Sequence, residues 1–219
     1  MRRILLTSIG LTSLCLLLQG CISISRYQTA ETIPQGRSQY FIAMGNFSGN
    51  DMSTSIKSLQ ASELKKSQSL VECGMRYGLS KSIDMGVQFT LLGTVGTDLK
   101  YAFKKAKKLS LATGAGVSYT WSTADGNIYS TDQEADIFYY DVTVPLYASY
   151  RLLDRFAVYG SPKYIFRTIK GDVMDVIHLV GISLGAQIGK DQGAYLDYTI
   201  YQDLQTPYFV SQFSVAWFF

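Results

Sequence analysis

Apolar and polar residues alternate with a period of two along most of the chain from about residue 39 onward. In residues 83–91, Ile, Met, Val, Phe and Leu occupy one parity, whereas Asp, Gly, Gln and Thr occupy the other. Residues 71–79 show the same pattern, and only residues 80–82 lie between the two stretches. Since successive side chains of a strand point to opposite faces, this spacing predicts two strands joined in a tight hairpin.

Eight more segments carry the same alternation, so the sequence predicts ten strands in total. The further segments are residues 40–47, 99–104, 109–122, 137–151, 156–168, 176–189, 194–202 and 208–219. The connections alternate between three-residue turns (80–82, 105–107, 152–154, 190–192) and longer loops (48–68, 123–136, 169–175, 203–207), with a four-residue link at 93–96. An even strand number with this alternation is typical of a transmembrane barrel, whose longer loops face outward. We therefore predict an all-β, closed antiparallel transmembrane β-barrel in which the first strand pairs with the tenth.

Alternation alone fits a soluble sandwich as well as a barrel, but the positions of the aromatic residues favour a bilayer. On the apolar parity, aromatic residues lie near both ends of the predicted strands, whereas the middle is mostly aliphatic or small. Examples are Tyr77, Phe103 and Trp217 near the short turns and Trp121, Tyr140 and Phe166 near the longer loops. Because Tyr and Trp prefer the membrane interfaces, we expect the apolar parity to face lipid and the polar parity to line the lumen.

The amino-terminal residues have the features of an export signal. Arg2 and Arg3 precede an apolar run that ends in LLQGC at Cys21, and the run is too short for a membrane anchor. This stretch resembles the lipobox of bacterial lipoproteins. The resemblance implies cleavage after residue 20 and, on Cys21, a diacylglycerol and an amide-linked acyl chain such as palmitate. Because Ile22 and not Asp follows the cysteine, it also implies sorting to the outer membrane; the alternative is an ordinary signal peptide.

The chain ends in QFSVAWFF, with Phe213, Val215, Trp217 and Phe219 on one parity. This resembles the terminal-Phe signature by which outer-membrane β-barrels are recognised for assembly. The resemblance implies that the barrel-assembly and lipoprotein-sorting machineries are partners during biogenesis. We therefore divide the chain into a lipoprotein signal peptide (1–20), a lipidated polar tether (21–38) and an outer-membrane β-barrel (39–219).

The polar parity predicts a network of charged and polar side chains inside the barrel. Its principal members are Glu72, Arg76, Asp84, Gln88, Lys100, Asp141, Lys163, Arg167 and Asp197, and Lys104 shares their parity. Counting residues from their common turn places Asp141 and Lys163 near the same level, so they could face each other across neighbouring strands. The strands predicted at 109–122 and 176–189 carry mainly Gly, Ser and Ala on the inner parity, which leaves room either for bulky Tyr, Lys and Arg side chains from the opposite wall or for a cavity.

Candidate catalytic or metal-binding residues are few. His178 is the only histidine, and its parity directs it outward; Asp175 lies three residues before it. Cys15 would leave with the signal and Cys21 would carry lipid, so Cys73 has no partner for a disulfide. With one histidine and no cysteine pair, we expect no metal and no other cofactor. The basic count of 20 less Arg2 and Arg3 leaves 18 against 17 acidic residues, so nucleic-acid binding is not expected.

These patterns predict a lipid-anchored protein of the bacterial outer membrane, with its amino terminus on the periplasmic side. The expected role is structural, ligand-binding or that of a narrow pore, without catalysis. Outer-membrane lipids and a small ligand are the expected partners. Two alternatives stay open: an outer-membrane hydrolase of lipid or peptide that uses His178 and Asp175, and a lipid-tethered soluble periplasmic β-domain. The first long loop contains Ile56, Leu59 and Leu64 at helix-like spacing, which predicts a short surface helix.

Overall fold

The computed structural model describes residues 27–49, 66–91, 93–124, 135–170, 174–205 and 209–219. These residues form ten strands: β1 (Ser38–Gly49), β2 (Lys66–Gly78), β3 (Ile83–Thr90), β4 (Thr94–Lys105), β5 (Leu109–Ala124), β6 (Ala135–Leu153), β7 (Phe156–Lys170), β8 (Met174–Gly189), β9 (Gly193–Asp203) and β10 (Phe209–Phe218). The predicted signal peptide, Cys21 and the predicted helix of the first long loop lie outside the described residues.

The strands form a closed antiparallel barrel in which each strand pairs with its neighbours in sequence and β1 pairs with β10. Phe41 lies opposite Phe218, and the pairing continues to Gly49 opposite Val210. Phe219 also takes part in this pairing. Its amide donates a hydrogen bond to the carbonyl of Tyr40 at 3.0 Å, and its carbonyl accepts one from the amide of Tyr40 at 2.9 Å. The predicted fold class is confirmed, including the closure of the first strand on the tenth.

Short connections gather at one end of the barrel, which we call the turn end. They comprise residues 79–82, 106–108, 154–155 and 190–192. The other connections lie at the opposite end, the loop end, which β1 leaves at Gly49 and β2 enters at Lys66. The predicted link at 93–96 is shorter than expected, because β4 already begins at Thr94 and pairs with β5 from Thr120 onward.

The two parities separate into an exposed exterior and a buried interior. Along β4 and β7 the residues alternate between buried and exposed for most of each strand. The exposed residues include large apolar side chains such as Leu146, Leu184, Trp121 and Trp217. The buried parity carries most of the charged side chains of the described strands. This distribution is the inverse of a soluble protein, in which large apolar side chains are buried.

Two register shifts at the turn end interrupt the alternation. One lies between Ala102 and Lys104 in β4, the other between Arg151 and Leu153 in β6. Because a bulge adds a residue to one strand, Phe103 and Lys104 are both exposed. The placement of Lys104 in the lumen, which strict alternation predicted, is therefore wrong.

Within the described ranges, there is no helix that is long and apolar enough to cross a membrane.

Candidate functional site: the filled lumen

Residues 27–33, which we call the inner segment, lie inside the barrel. Tyr27, Gln28, Thr29 and Ala30 are buried. The hydroxyl of Tyr27 donates a hydrogen bond of 2.6 Å to Oε1 of Glu72. The sequence predicted a polar tether here, but nothing in its composition indicated that the tether runs through the lumen.

Polar contacts on several strands hold the inner segment. Nε2 of Gln28 donates to the hydroxyl of Tyr147 on β6 at 2.9 Å, and the amide of Ala30 donates to Oγ of Ser149 at 3.3 Å. Lys100 on β4 is fully buried, and its ammonium group donates to the carbonyl oxygens of Thr29 and Glu31 at 3.0 and 2.7 Å. A buried lysine is costly unless such acceptors surround it. The backbone of the inner segment therefore supplies part of the environment that Lys100 needs.

At the turn end, the inner segment is clamped by charged groups. The amide of Ile33 donates to Oδ2 of Asp84 at 2.9 Å. The guanidinium group of Arg151 makes two hydrogen bonds to the carboxylate of Glu31, one of them 3.0 Å from Nε to Oε1. Bidentate arginine–carboxylate pairs combine energy with a defined geometry. These contacts fix the position at which the chain leaves the lumen.

A tight turn then leads the chain from the lumen into β1. The amide of Arg37 bonds the carbonyl of Pro34 at 3.0 Å, and Gly36 at the third position of this turn has φ +76°. Position i+2 of a type II turn requires a positive φ, which glycine adopts without strain. Two further backbone bonds tie the turn to Gly78 at the end of β2. The reversal allows a chain that lies in the lumen to continue as a wall strand.

A cluster of four charges lies beside the inner segment. Arg76 bonds Asp84 through Nη2 at 2.5 Å, and it bonds Asp98 through Nη2 at 2.8 Å and through Nη1 at 3.1 Å. Lys100 lies 3.3 Å from Oδ2 of Asp84. All four side chains are buried, and two cations face two carboxylates. Paired in this way, the charges avoid the cost that an isolated buried charge would carry.

A further ion pair joins β6 and β7, and it pairs Asp141 with a partner other than the predicted one. Asp141 lies opposite Arg167, and the carboxylate accepts 2.7 Å bonds from both Nε and Nη2. Lys163 lies opposite Pro145 instead. The expected pairing of Asp141 with Lys163 is therefore wrong, because residues that face each other in a hairpin lie equally far from its turn, and Asp141 lies farther from the turn than Lys163 does.

Tyrosine side chains from the two neighbouring strands fill the space beside the glycine-rich strand β8. A β-carbon at Gly185 would collide with the ring of Tyr159, and one at Gly181 would collide with the ring of Tyr201. The hydroxyl of Tyr159 donates to Asp197 at 2.8 Å, and Thr199 donates to the same carboxylate at 2.7 Å. For β8, the structure favours room for bulky side chains over a cavity. The rings come from adjacent strands and not from the opposite wall.

All nine residues of the predicted polar network lie on the buried parity of their strands. They are Glu72, Arg76, Asp84, Gln88, Lys100, Asp141, Lys163, Arg167 and Asp197. The structure divides them into local groups. Glu72 joins Tyr27 and Gln212, and its Oε1 accepts a 3.2 Å bond from Gln212.

The interior contains an apolar cluster that the sequence analysis missed. Its buried members are Ile165, Ile169, Ile177, Leu179, Tyr201 and Val210, with Phe47 and Tyr139 packed against them. Ile169 and Ile177 lie close to the ends of β7 and β8, so the cluster occupies the loop end of the lumen. The sequence did contain a pattern that indicates this cluster, because residues 164–166 and 176–180 are apolar on both parities apart from His178. Such runs indicate strands that are apolar on both faces.

His178 and Asp175 do not form a common site. His178 packs between the exterior rings of Tyr164 and Phe166, and its Nδ1 lies at hydrogen-bond distance from the hydroxyl of Tyr164. The carboxylate of Asp175 instead accepts a 2.8 Å bond from the amide of Val176. The described part of the chain contains no group of three or more His, Cys, Asp or Glu side chains that could hold a metal ion. Cys73 is an exposed free thiol.

No protein family and no curated protein matches the sequence. Solved structures with a similar fold include the outer membrane protease OmpT from Escherichia coli, at 11% identity and a TM-score of 0.41 over 87% of this chain and 98% of that one. An outer membrane channel from Pseudomonas putida F1 matches at 11% identity and a TM-score of 0.42, over 91% of this chain and 100% of that one. The attachment protein Ail of Yersinia pestis matches at 10% identity and a TM-score of 0.31, over 84% of this chain and 99% of that one. At these scores the likeness supports no inference about activity.

Proposed function

We propose that this protein is a lipid-anchored β-barrel of the bacterial outer membrane, with its turn end in the periplasm and its loop end outside the cell. The exposed exterior supports this placement, because large apolar side chains surround a closed sheet. In hydrocarbon every backbone N–H and C=O must be paired within the protein, and a closed barrel achieves this. The apolar run that ends in LLQGC at Cys21 supports the lipid anchor.

Among the roles that a small barrel can have, the geometry favours a structural or surface-binding role over that of a pore. The observation that carries this conclusion is the filled interior. The inner segment occupies the lumen beside Glu72, Lys100 and Tyr147, and the apolar cluster fills the loop end. Ten strands enclose a space that side chains can still fill. A small ligand would therefore bind at the loops or on the exterior rather than pass through.

Planar-bilayer recording tests this role. We expect the mature protein to insert without stepwise conductance, since chain and side chains obstruct the lumen. A variant that lacks residues 27–33 and carries alanine at Ile165, Ile169, Ile177 and Leu179 of the apolar cluster, so that both obstructions are removed, should show discrete channels. In that variant Lys163→Glu should shift the selectivity toward cations, because Lys163 is buried on the inner parity. Stable channels from the intact protein would contradict the proposal. A heat-dependent shift in gel mobility would show that each variant is folded.

We infer further that the protein acts without catalysis. His178 has an aromatic environment on the exterior, and its ring faces the Tyr164 hydroxyl and not a carboxylate. A hydrolytic site would need a nucleophile and a base that lie close together. If the protein were instead a lipid or peptide hydrolase that depends on this residue, His178→Ala would abolish the activity. We expect neither the unaltered protein nor His178→Ala to hydrolyse labelled lipid or peptide. Phe166→Ala is the matched control.

A further inference from the structure

The turn end carries a dense group of exposed cations. Seven exposed basic residues lie on its four turns and on the adjoining end of β4, and we call them the basic arc. They are Lys81, Lys104, Lys105, Lys107, Lys108, Arg155 and Lys190. Asp154 and Asp191 are the exposed acidic residues of the same turns. Cations therefore outnumber acids by more than three to one at this end of the barrel.

Hydrogen bonds connect neighbouring connections along this rim. The carbonyl of Lys81 accepts a hydrogen bond from the side chain of Lys105, which links the first two turns. The amide of Arg151 donates to the carbonyl of Lys108 at 2.8 Å, and the amide of Gly189 donates to the carbonyl of Arg155 at 2.8 Å. The arc thus follows the rim from the β2–β3 turn to the β8–β9 turn.

The two bulges place cations of the arc beside exposed apolar side chains. In β4 the exposed Phe103 directly precedes Lys104 and Lys105. In β6 the exposed Leu152 and Leu153 precede Arg155 by two to three residues. A long basic side chain next to an apolar surface extends its charge to the membrane interface while its methylene groups stay against hydrocarbon. This arrangement suits the border between acyl chains and phosphate better than it suits a soluble polymer.

The charge is distributed unevenly between the two ends. The sequence of the connections at the loop end, residues 50–65, 125–134 and 171–173, contains six acidic and two basic residues. Clustered cations next to a membrane attract anionic lipid, and each contributes a favourable energy that salt screens. A charge asymmetry of this kind indicates different surroundings for the two rims.

We propose that the basic arc binds the phosphate groups of anionic phospholipids in the leaflet around the turn end. This inference rests on the proposed membrane placement. The bound lipid would be a phosphatidylglycerol or a related lipid with net negative charge. Its phosphate would accept hydrogen bonds from the lysine ammonium groups, and its acyl chains would cover Phe103, Leu152 and Leu153.

Native mass spectrometry of the purified mature protein tests the proposal. The protein would be released from micelles that contain equal amounts of phosphatidylglycerol and phosphatidylcholine with identical acyl chains. We expect about fivefold or greater retention of phosphatidylglycerol over phosphatidylcholine, and a decline of this ratio with added salt. A variant with Lys104, Lys105, Lys107 and Lys108 all changed to serine should bring the ratio close to one.

Matched variants separate lipid recognition from charge and from folding. Changing Lys57, Lys65, Lys66 and Lys170 to serine removes the same four positive charges outside the basic arc. This variant should leave the ratio of phosphatidylglycerol to phosphatidylcholine unchanged. Arginine at Lys104, Lys105, Lys107 and Lys108 should preserve it. If the fourfold serine variant lacks the gel shift of a folded barrel, the pair Lys107→Ser and Lys108→Ser, which lies in the turn outside the strands, replaces it.

Equal retention of the two lipids by the intact protein would overturn the proposal, as would an unchanged ratio in the folded arc variant. Binding of the intact protein, but not of the arc variant, to purified cell-wall sacculi without lipid selectivity would assign the arc to a different partner and overturn the proposal too. Each of these results leaves the membrane placement intact, because that placement is tested separately by the exposure of the exterior to acyl chains.

Discussion

Single residues in this barrel are constrained mainly by what surrounds them inside the lumen. Asp141 and Arg167 are buried and joined by two 2.7 Å bonds. Removing one partner of a buried pair leaves an uncompensated charge, whereas replacing both by apolar residues is often neutral. The neighbouring apolar cluster, which includes Ile165 and Ile169, would accommodate such a replacement.

We therefore expect Arg167→Ala to lower the free energy of unfolding by about 3–5 kcal/mol. The double variant Arg167→Met with Asp141→Leu should recover most of that loss. Urea unfolding in micelles, followed by tryptophan fluorescence, measures both effects. A double variant as unstable as the single one would show that the loss comes from packing and not from the orphaned carboxylate.

Gly185 provides a test of how tightly the interior is filled. A β-carbon there would overlap Tyr159, whereas one at Gly160 would meet Leu184 at an ordinary 3.4 Å. Gly185→Ala should cost about 1–3 kcal/mol of stability through overpacking, and Gly160→Ala should cost much less in the same unfolding assay. Equal effects at the two positions would mean that the lumen next to Tyr159 has spare volume.

At the scale of whole elements, the sequence predicted all ten strands and their closure, because hydrophobic alternation persists through each. The boundaries deviated where the alternation is weak. β2 extends back to Lys66 through KSQSL, and β4 begins at Thr94 in TVGT, where polar and small residues hide the pattern. Cross-strand contacts fix these ends, such as the 2.8 Å bond between the hydroxyls of Thr94 and Thr120.

The interior was less predictable than the strands. Parity placed nine polar residues on the inner side, but their partners depend on the register, which parity does not supply, as the pairing of Asp141 with Arg167 instead of Lys163 shows. The inner segment has neither a repeating pattern nor strong charge, and its position follows from pairing with Lys100, Glu72 and Arg151 on distant strands. Contacts of this kind leave no local signal in the sequence.

The last strand gives a prediction at the element scale. Phe219 stacks on Tyr40 at a centroid distance of 6.1 Å and is exposed on the exterior. Because its backbone still pairs with Tyr40 after substitution, Phe219→Ser should refold in detergent like the native chain. In cells, however, we expect several-fold less protein in the outer-membrane fraction, measured by immunoblot. Normal cellular assembly of the variant would show that Phe219 is not needed for recognition by the assembly machinery.

At the scale of the whole molecule, the barrel is a sheet whose polar side is enclosed and whose apolar side is exposed. The proposed lipid on Cys21 would then be an additional attachment and not the only one. We expect Cys21→Ala to remain with membranes after washing with high salt and alkali, which release peripheral proteins. Release of this variant into the soluble fraction would instead support a lipid-tethered soluble periplasmic domain.

The two tryptophans allow the most direct test of this arrangement. Trp121 and Trp217 are half exposed on the exterior, one toward the loop end and one toward the turn end, and the sequence contains no others. The measurement is the quenching of their fluorescence, in Trp121→Phe and Trp217→Phe variants reconstituted into bilayers, by brominated phospholipids and by aqueous iodide. We predict that bromine near the headgroups quenches both strongly, that bromine near the chain ends quenches both less, and that iodide has little effect. Strong quenching by iodide without any effect of brominated lipid would contradict a barrel whose exterior faces acyl chains.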